Sequence, residues 1–387
     1  MNVPKLRFKE FTDEWKTHKL KDFFSKITKK NKSNSIHNVI SNSAKFGLVK
    51  QIDYFSKDIA NTDNTEGYFI IEKNDFVYNP RKSLEAPFGP ICKYNYNETG
   101  IVSPLYLCFR CSQLINYDFF EYLFKSSVWY KYIYQNGDSG ARHDRVNIKD
   151  STFFLMPIFI PQSKEQEKIA KFLTTVDKKI TNLENIITSL ENQKKGLLQQ
   201  IFSQKLRFKD KNGNNYPNWE KKKIGLICSI STGKSNTQDK IDNGKYPFYV
   251  RSATIERSSK YLYDEEATLT VGDGVGTGKV FHYVNGKYDL HQRCYRMFNF
   301  KNTHAKYFYY FFSSHFYNRV KRMSAKNSVD SVRMNMISDM IINLPCLEEQ
   351  TKIADFLSAF DRKLENQKAQ LEHWKQIKKG LLQQMFV

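Results

Sequence analysis

The sequence predicts an α+β protein: two tandem mixed α/β units, separated and joined by two long antiparallel coiled-coil helices, with pseudo-two-fold symmetry. Three observations predict it. The heptapeptide "KKGLLQQ" occurs at 194–200 and again at 378–384. The chain around each copy repeats without a gap for about forty residues, so that Pro161 matches Pro345, Asp177 matches Asp361 and Gly196 matches Gly380. Each repeated tail also carries apolar residues at a sustained 4-3 spacing, the signature of a helical seam.

The elements follow in order. The lead "KLRFKEFTDEWKTHKL" (5–20) recurs as "KLRFKDKNGNNYPNWEKKKI" (205–224), with Trp15 matching Trp219. The division is therefore 1–160 (first unit), 161–203 (first helix), 204–344 (second unit) and 345–387 (second helix). Within the units, "GYFIIEKNDFVYNP", "GIVSPLYLCFRC", "YPFYVRSATI" and "GKVFHYV" are short β-branched and aromatic runs broken by Gly, Pro and Asn, and they read as strands. An aromatic helical stretch follows in each unit, at 116–134 and at 304–322. A polar, Arg-bearing loop comes next, "QNGDSGARHDRVN" in the first and "MSAKNSVDSVRMN" in the second.

Each tail starts after a proline. The first seam runs through Ile169, Leu173, Val176, Ile180, Leu183, Ile187 and Leu190; the second through Ile353, Leu357, Phe360, Leu364, Leu371 and Trp374. Forty residues at 1.5 Å each make a rod of roughly 60 Å. One seam cannot bury itself, and the obvious mate is the other copy. The competing reading is two separate amphipathic helices, each lying on its own domain. Lys194 and Lys378 fall in equivalent seam slots, and Gln367 is a further polar seam residue; such residues specify register. Gly196 and Gly380 each cost about 1 kcal/mol inside a helix. They either permit close approach of another backbone at an interface or mark fraying near a helix end.

Composition bounds the function. Lys plus Arg is 61 against 40 Asp plus Glu, a formal charge of +21 whose natural partner is a polyanion. A Lys-rich composition from an AT-rich genome does not explain so uncompensated a charge. No apolar run is long enough for a membrane span, and "MNVPKLRFKEFTDEWK" lacks the apolar core of a signal peptide, so a cytoplasmic protein is expected. The six cysteines are scattered. Cys108 and Cys111 form one CxxC without a second pair, which reads as idle thiols in a strand and not as a zinc site.

The stretch "VGDGVGTGKV" (271–280) looks catalytic at first sight. A phosphate-binding P-loop needs Gly five positions before its Gly-Lys and Ser or Thr after it; here those places hold Asp273 and Val280. The residues that follow, "VFHYVNGKYDL", read as strand and turn, so a Gly-rich turn allowing close backbone approach, for example to phosphate, is the better reading. The only Asn-Pro, Asn79-Pro80, is followed by Arg81, which departs from the Pro-Pro-aromatic motif of DNA amino-methyltransferases. The chain therefore reads as non-catalytic, with no metal ligands assigned. The candidate binding residues are polar and basic groups beside turns. They are Tyr78, Asn79, Arg81, Lys82, Arg142 and Arg145 in the first unit, and Arg251, Ser252, Lys279, Arg293, Arg296 and Arg333 in the second. Arginine there can fork to guanine O6 and N7 or to phosphate.

At this point the whole chain resembles the specificity subunits of type I restriction–modification systems. The carriers are "PKLRFKEFTDEWK", "LPCLEEQTKIADFLSAFD", the twin "KKGLLQQ(I/M)F" ends, the two divergent bodies, and "YVRSATI" and "SPLYLCF" within them. One departure is "IPQSKEQEKIA", where Lys164 stands at the place of the first Glu; little effect is expected. The resemblance implies that each body is a target-recognition domain reading one half of a bipartite, asymmetric site in double-stranded DNA. The helices would set the spacer. Two modification (methyltransferase) subunits would dock, partly against the helices, and methylate adenine N6. Restriction subunits would add translocation and cleavage. S-adenosylmethionine, Mg and ATP would belong to those partners, with no cofactor bound by this chain. The alternatives are a self-contained DNA methyltransferase with degenerate motifs and a coiled-coil adaptor for RNA or another polyanion.

Overall fold

The computed structural model of the chain describes residues 2–54, 65–113, 115–139, 143–274, 276–323 and 331–387. It divides into two compact units, Met1–Leu183 with Gln370–Val387, and Glu184–Ala369. The dividing line runs through both long helices, Ser163–Phe202 and Leu347–Gln384, and not through their ends. Each unit therefore owns part of each helix. Among the described residues no helix is long and apolar enough to cross a membrane.

In the first unit the strand Lys16–Lys19 pairs antiparallel with Pro157–Ile160, which ties the two ends of the body together. Between them lie two four-stranded sheets. One has the order Phe24–Lys26, Leu107–Cys111, Phe76–Tyr78, Ile91–Lys93; the other has Gly47–Lys50, Val39–Ser43, Gly100–Val102, Phe69–Ile71. The strands are three to five residues long because Asn, Pro and Gly interrupt them every few positions. Phe24 is the hub of the core, with ring centroids 5.1–5.4 Å from Phe76, Phe109 and Phe120. The aromatic stretch predicted as one helix is two, Tyr117–Lys125 and Tyr130–Asn136. The break falls at Ser126, whose backbone turns extended at ψ 175°; its Oγ donates to Leu123 O and accepts from Val128 N–H at 3.5 Å.

The second unit repeats the closure with Glu220–Lys223 against Ile341–Leu344. Its six-stranded sheet has the order Ser229–Thr232, Cys294–Phe298, Tyr263–Val271, Phe281–Leu290, Tyr246–Tyr249, Ile255–Ser258. Asn285-Gly286, expected to turn the chain, instead stays within Phe281–Leu290, opposite Glu266 and Glu265. Glycine at 286 permits the φ of +121° found there. The second aromatic stretch is a single helix, Ala305–Met323, whose Tyr307, Phe308, Phe312 and Phe316 are buried at helical spacing.

The expected antiparallel pairing of the tails holds inside each unit. In the first, Ile169, Ala170 and Leu173 share a core with Met385 and Phe386, and Lys378 pairs with Asp177 at 2.5 Å. In the second, Ile201 and Phe202 share a core with Ile353, Ala354 and Leu357; Lys194 pairs with Asp361, and Lys368 with Glu191 at 2.7 Å. Ile169, Leu173, Val176, Ile180, Leu183, Ile187 and Leu190 are all buried, whereas Phe360, Leu364, Leu371 and Trp374 are only half-buried. Within the chain itself neither repeated glycine makes a close approach. A Cβ at Gly196 would meet nothing within 4 Å, and one at Gly380 only the far end of Gln384 at 3.7 Å.

Two repeated polar clusters explain the repeated motifs. Glu165 and Glu349, both fully buried, anchor the two leads. Arg7 donates twice to Glu165 at 2.7 Å and Trp15 donates at 3.3 Å; Arg207 and Trp219 meet Glu349 at 2.7 and 3.0 Å. These hydrogen bonds raise both arginine pKa values. Lys164 is exposed and takes no part, so the departure at that position spares the residue that matters. In the second cluster a tyrosine of each aromatic helix donates to the aspartate that the heptapeptide lysine holds. Tyr122 donates to Asp177 at 3.0 Å and Tyr310 to Asp361 at 2.6 Å.

Candidate nucleic-acid interface

Each unit carries a turn after its central strand, and each turn is fastened in the same way to the later part of the late polar loop. In the first unit the strand Phe76–Tyr78 runs into Asn79-Pro80-Arg81. Arg81 is bridged antiparallel to Arg145, and Val146 N–H donates to Pro80 O at 2.9 Å. In the second unit Tyr263–Val271 runs into Gly272-Asp273-Gly274. Asp273 is bridged antiparallel to Ser331, and Val332 N–H donates to Gly272 O at 2.8 Å. Two segments distant in sequence thus form one surface in each unit.

The first turn is stiff. The Asn79 side chain donates to Asn42 O at 2.9 Å and accepts from Arg81 N–H at 3.1 Å. Gly89 lies so close beneath that a Cβ would sit 2.1 Å from Asn79 O. Tyr78 is corrected as a contact residue: it is buried, and its hydroxyl donates to Phe88 O at 2.9 Å. Its place is to hold the turn from below. Arg81 is exposed and Arg145 half-buried, while Lys82 donates its backbone N–H to Asp144 O at 2.8 Å. Arg142 lies outside the described residues.

The second turn gathers candidates that sequence alone could not bring together. A Cβ at Gly276 would stand 2.8 Å from Arg251 O, and one at Gly272 would stand 2.9 Å from Arg293 O. The glycines therefore serve close approach to the chain's own backbone at Arg251 and Arg293. Arg251, Ser252, Lys279, Arg293 and Arg333 are all exposed around this turn or on the segments fastened to it. Lys279 sits 5.3 Å from the Tyr317 ring, and Arg293 lies 3.5 Å from Asp273. Arg296 is corrected: it is largely buried, donates to Glu265 at 2.5 Å and stacks on Tyr263 and Phe298 at 4.1 and 3.7 Å. It braces the sheet and presents no fork to a ligand. Cys108 is buried and Cys111 donates to Gln113 O, and burial pushes both thiols up, away from the reactive thiolate.

Sequence reading missed His291 and Asp273. His291 is buried under the second turn, where its Nδ1 accepts from Arg293 N–H at 3.0 Å. Burial first, then Arg251 and Arg293, lower its pKa, so the ring is held neutral. Asp273 stood within the quoted Gly-rich stretch, but only its bridge to Ser331 reveals that it corresponds to Arg81.

The family model described as the type I restriction modification DNA specificity domain matches residues 12–192 and 216–373, one match in each repeat. The type I restriction enzyme EcoDI specificity subunit of Escherichia coli is 26% identical over 165 residues, 43% of this chain and 36% of that protein. The putative type I specificity subunit S.MpnORF507P of Mycoplasma pneumoniae is 28% identical over 155 residues, 38% of this chain and 42% of that one. The aligned part thus spans well under half the length of either relative. Among solved structures, the S subunit of a type I restriction-modification system from M. genitalium superposes with a TM-score of 0.62 at 15% identity, covering 100% of this chain and 99% of that one. A chain from a structure of type I R-M complex assembly and conformational transition gives 0.56 at 13% identity, covering 95% and 96%. Those likenesses show a shared fold. With a family model spanning both repeats, this chain belongs to the type I restriction modification DNA specificity domain family.

Proposed function

We propose that this chain is the DNA-reading, non-catalytic subunit of a type I restriction–modification complex. Each unit reads one half of a bipartite, asymmetric site in double-stranded DNA, and the long helices fix the spacer. Two methyltransferase subunits dock on the chain and methylate adenine N6 with S-adenosylmethionine; restriction subunits add ATP- and Mg-dependent translocation and cleavage. The complex works in the cytoplasm.

The observation that carries this reading is the pair of equivalent turns. Both are built and fastened alike, yet they expose different side chains: Arg81 and Arg145 in one, Asp273 and Ser331 with Arg293 beside them in the other. One scaffold with two unlike faces suits two unlike half-sites. The charge of +21 supports a polyanionic partner.

Footprinting of the reconstituted complex on genomic duplex DNA tests it. Two protected patches separated by an unprotected gap are expected, and a single continuous patch counts against the reading. Tight binding of S-adenosylmethionine by the isolated chain would instead favour a self-contained methyltransferase.

A further inference from the structure

In the first unit two arginines, Arg81 and Arg145, stand directly opposite each other across an antiparallel bridge. Side chains at paired positions project to one face, and like charges placed there repel. The fold does not require them. The second unit makes the same bridge from Asp273 and Ser331, with the same following hydrogen bond from Val332 to Gly272. There the acid has a cation beside it, Arg293 at 3.5 Å. Neither Arg81 nor Arg145 has an ion pair among the described residues. The backbone that carries Arg81 is also held in place: Asn79 fixes the turn through Asn42 O and Arg81 N–H, and Gly89 packs beneath it.

From this we infer that Arg81 and Arg145 form a clamp for one phosphodiester group of DNA, a contact to the backbone and not to a base edge. A guanine edge is neutral, and a single guanidinium already satisfies its O6 and N7. Two apposed cations call for a ligand with a full negative charge and several acceptor oxygens, which a phosphodiester supplies. The inference rests on the proposed DNA reading and adds a division of labour. The first unit is anchored by charge at this bridge, and the second, with Asp273 in the corresponding place, is not.

The test is the salt dependence of binding by the full-length chain to a mixed-sequence duplex of about 50 base pairs, followed by fluorescence anisotropy. Releasing one phosphate contact flattens the slope of log affinity against log salt by about 0.9, so the loss between about 50 and about 200 mM salt shrinks roughly threefold. The double variant Arg81→Gln/Arg145→Gln is expected to show that change, with a thermal midpoint no lower than that of the unsubstituted chain. Arg81→Lys/Arg145→Lys is expected to keep the original slope, because a phosphate accepts an ammonium where a base-reading fork does not. An unchanged slope in the glutamine variant overturns the clamp, as does a lysine variant that loses binding as fully as the glutamine one. If the unsubstituted chain binds no duplex at all, the DNA reading itself fails; if it binds and only the slope change is missing, the clamp alone fails.

Discussion

At the residue scale the most consequential side chains are two glutamates that composition hides among forty acids. Glu165 and Glu349 are fully buried, and each neutralises an arginine and accepts from a tryptophan of its lead. Removing one partner of a buried pair leaves the other charge uncompensated, at a cost of about 3–5 kcal/mol. Arg7 and Arg207 keep 10% and 22% exposure, so Glu165→Ala and Glu349→Ala are expected near the lower end, read as a shift in urea midpoint. Lys164→Glu, one position away on the exposed face, is expected to change stability by less than about 0.5 kcal/mol. Three histidines of the second unit, His282, His291 and His315, are held neutral chiefly by burial, which lowers their pKa values. The folded chain then takes up fewer protons than the unfolded one. Their contribution is full above the unfolded value of about 6.5 and is lost as pH falls below it toward the folded values. Urea unfolding of the second unit is expected at a lower midpoint at pH about 5.5 than at about 7.5, and His291→Asn should reduce that difference. An equal midpoint at the two pH values would contradict the neutral burial.

At the element scale the heptapeptide is a fastening. Its first lysine, Lys194 or Lys378, holds an aspartate of the other tail, which also accepts from a tyrosine of an aromatic helix. Helix end, helix start and the body of the unit are thereby fixed together in each unit. Within this chain a Cβ would be accommodated at the glycine two residues further on in both copies. Gly196→Ala and Gly380→Ala are each expected to raise stability by about 1 kcal/mol, the helix propensity difference, measurable as a rise in thermal midpoint. A loss of stability would show a constraint that the packing does not reveal. The two helical tails and the β character of both bodies were legible because periodicity and repetition act over dozens of residues. The break in the first aromatic stretch was not, because it lies in the extended backbone of a single residue, Ser126, which no periodicity records. Nor was the fate of Asn285-Gly286, where pairing with Glu265 and Glu266 overrides a local turn preference.

At the scale of the whole molecule, each long helix begins in one unit and ends in the other. The lead of the second repeat follows directly from the first helix, with Leu206 N–H donating to Gln200 O at 3.1 Å; Leu6 N–H donates to Gln384 O at 2.9 Å in the corresponding place. If the helices set the DNA spacer, four residues inserted in each, between Leu183 and Glu184 and between Ala369 and Gln370, add about 6 Å. At about 3.4 Å of rise per base pair, the recognised gap should lengthen by roughly two base pairs with both half-sites unchanged, as read by mapping methylated adenines. Unchanged spacing would remove the helices as the ruler. The amino-acid sequence by itself determined the duplication, the helical tails, the basic character and the family resemblance, because each is a pattern summed over many positions. Only the tertiary structure decided which polar residues face outward. Tyr78 and Arg296 are spent inside the protein, while Arg81 meets Arg145 and Asp273 meets Ser331 across bridges between distant segments. Burial and pairing are properties of the packed chain, and no local run of residues encodes them.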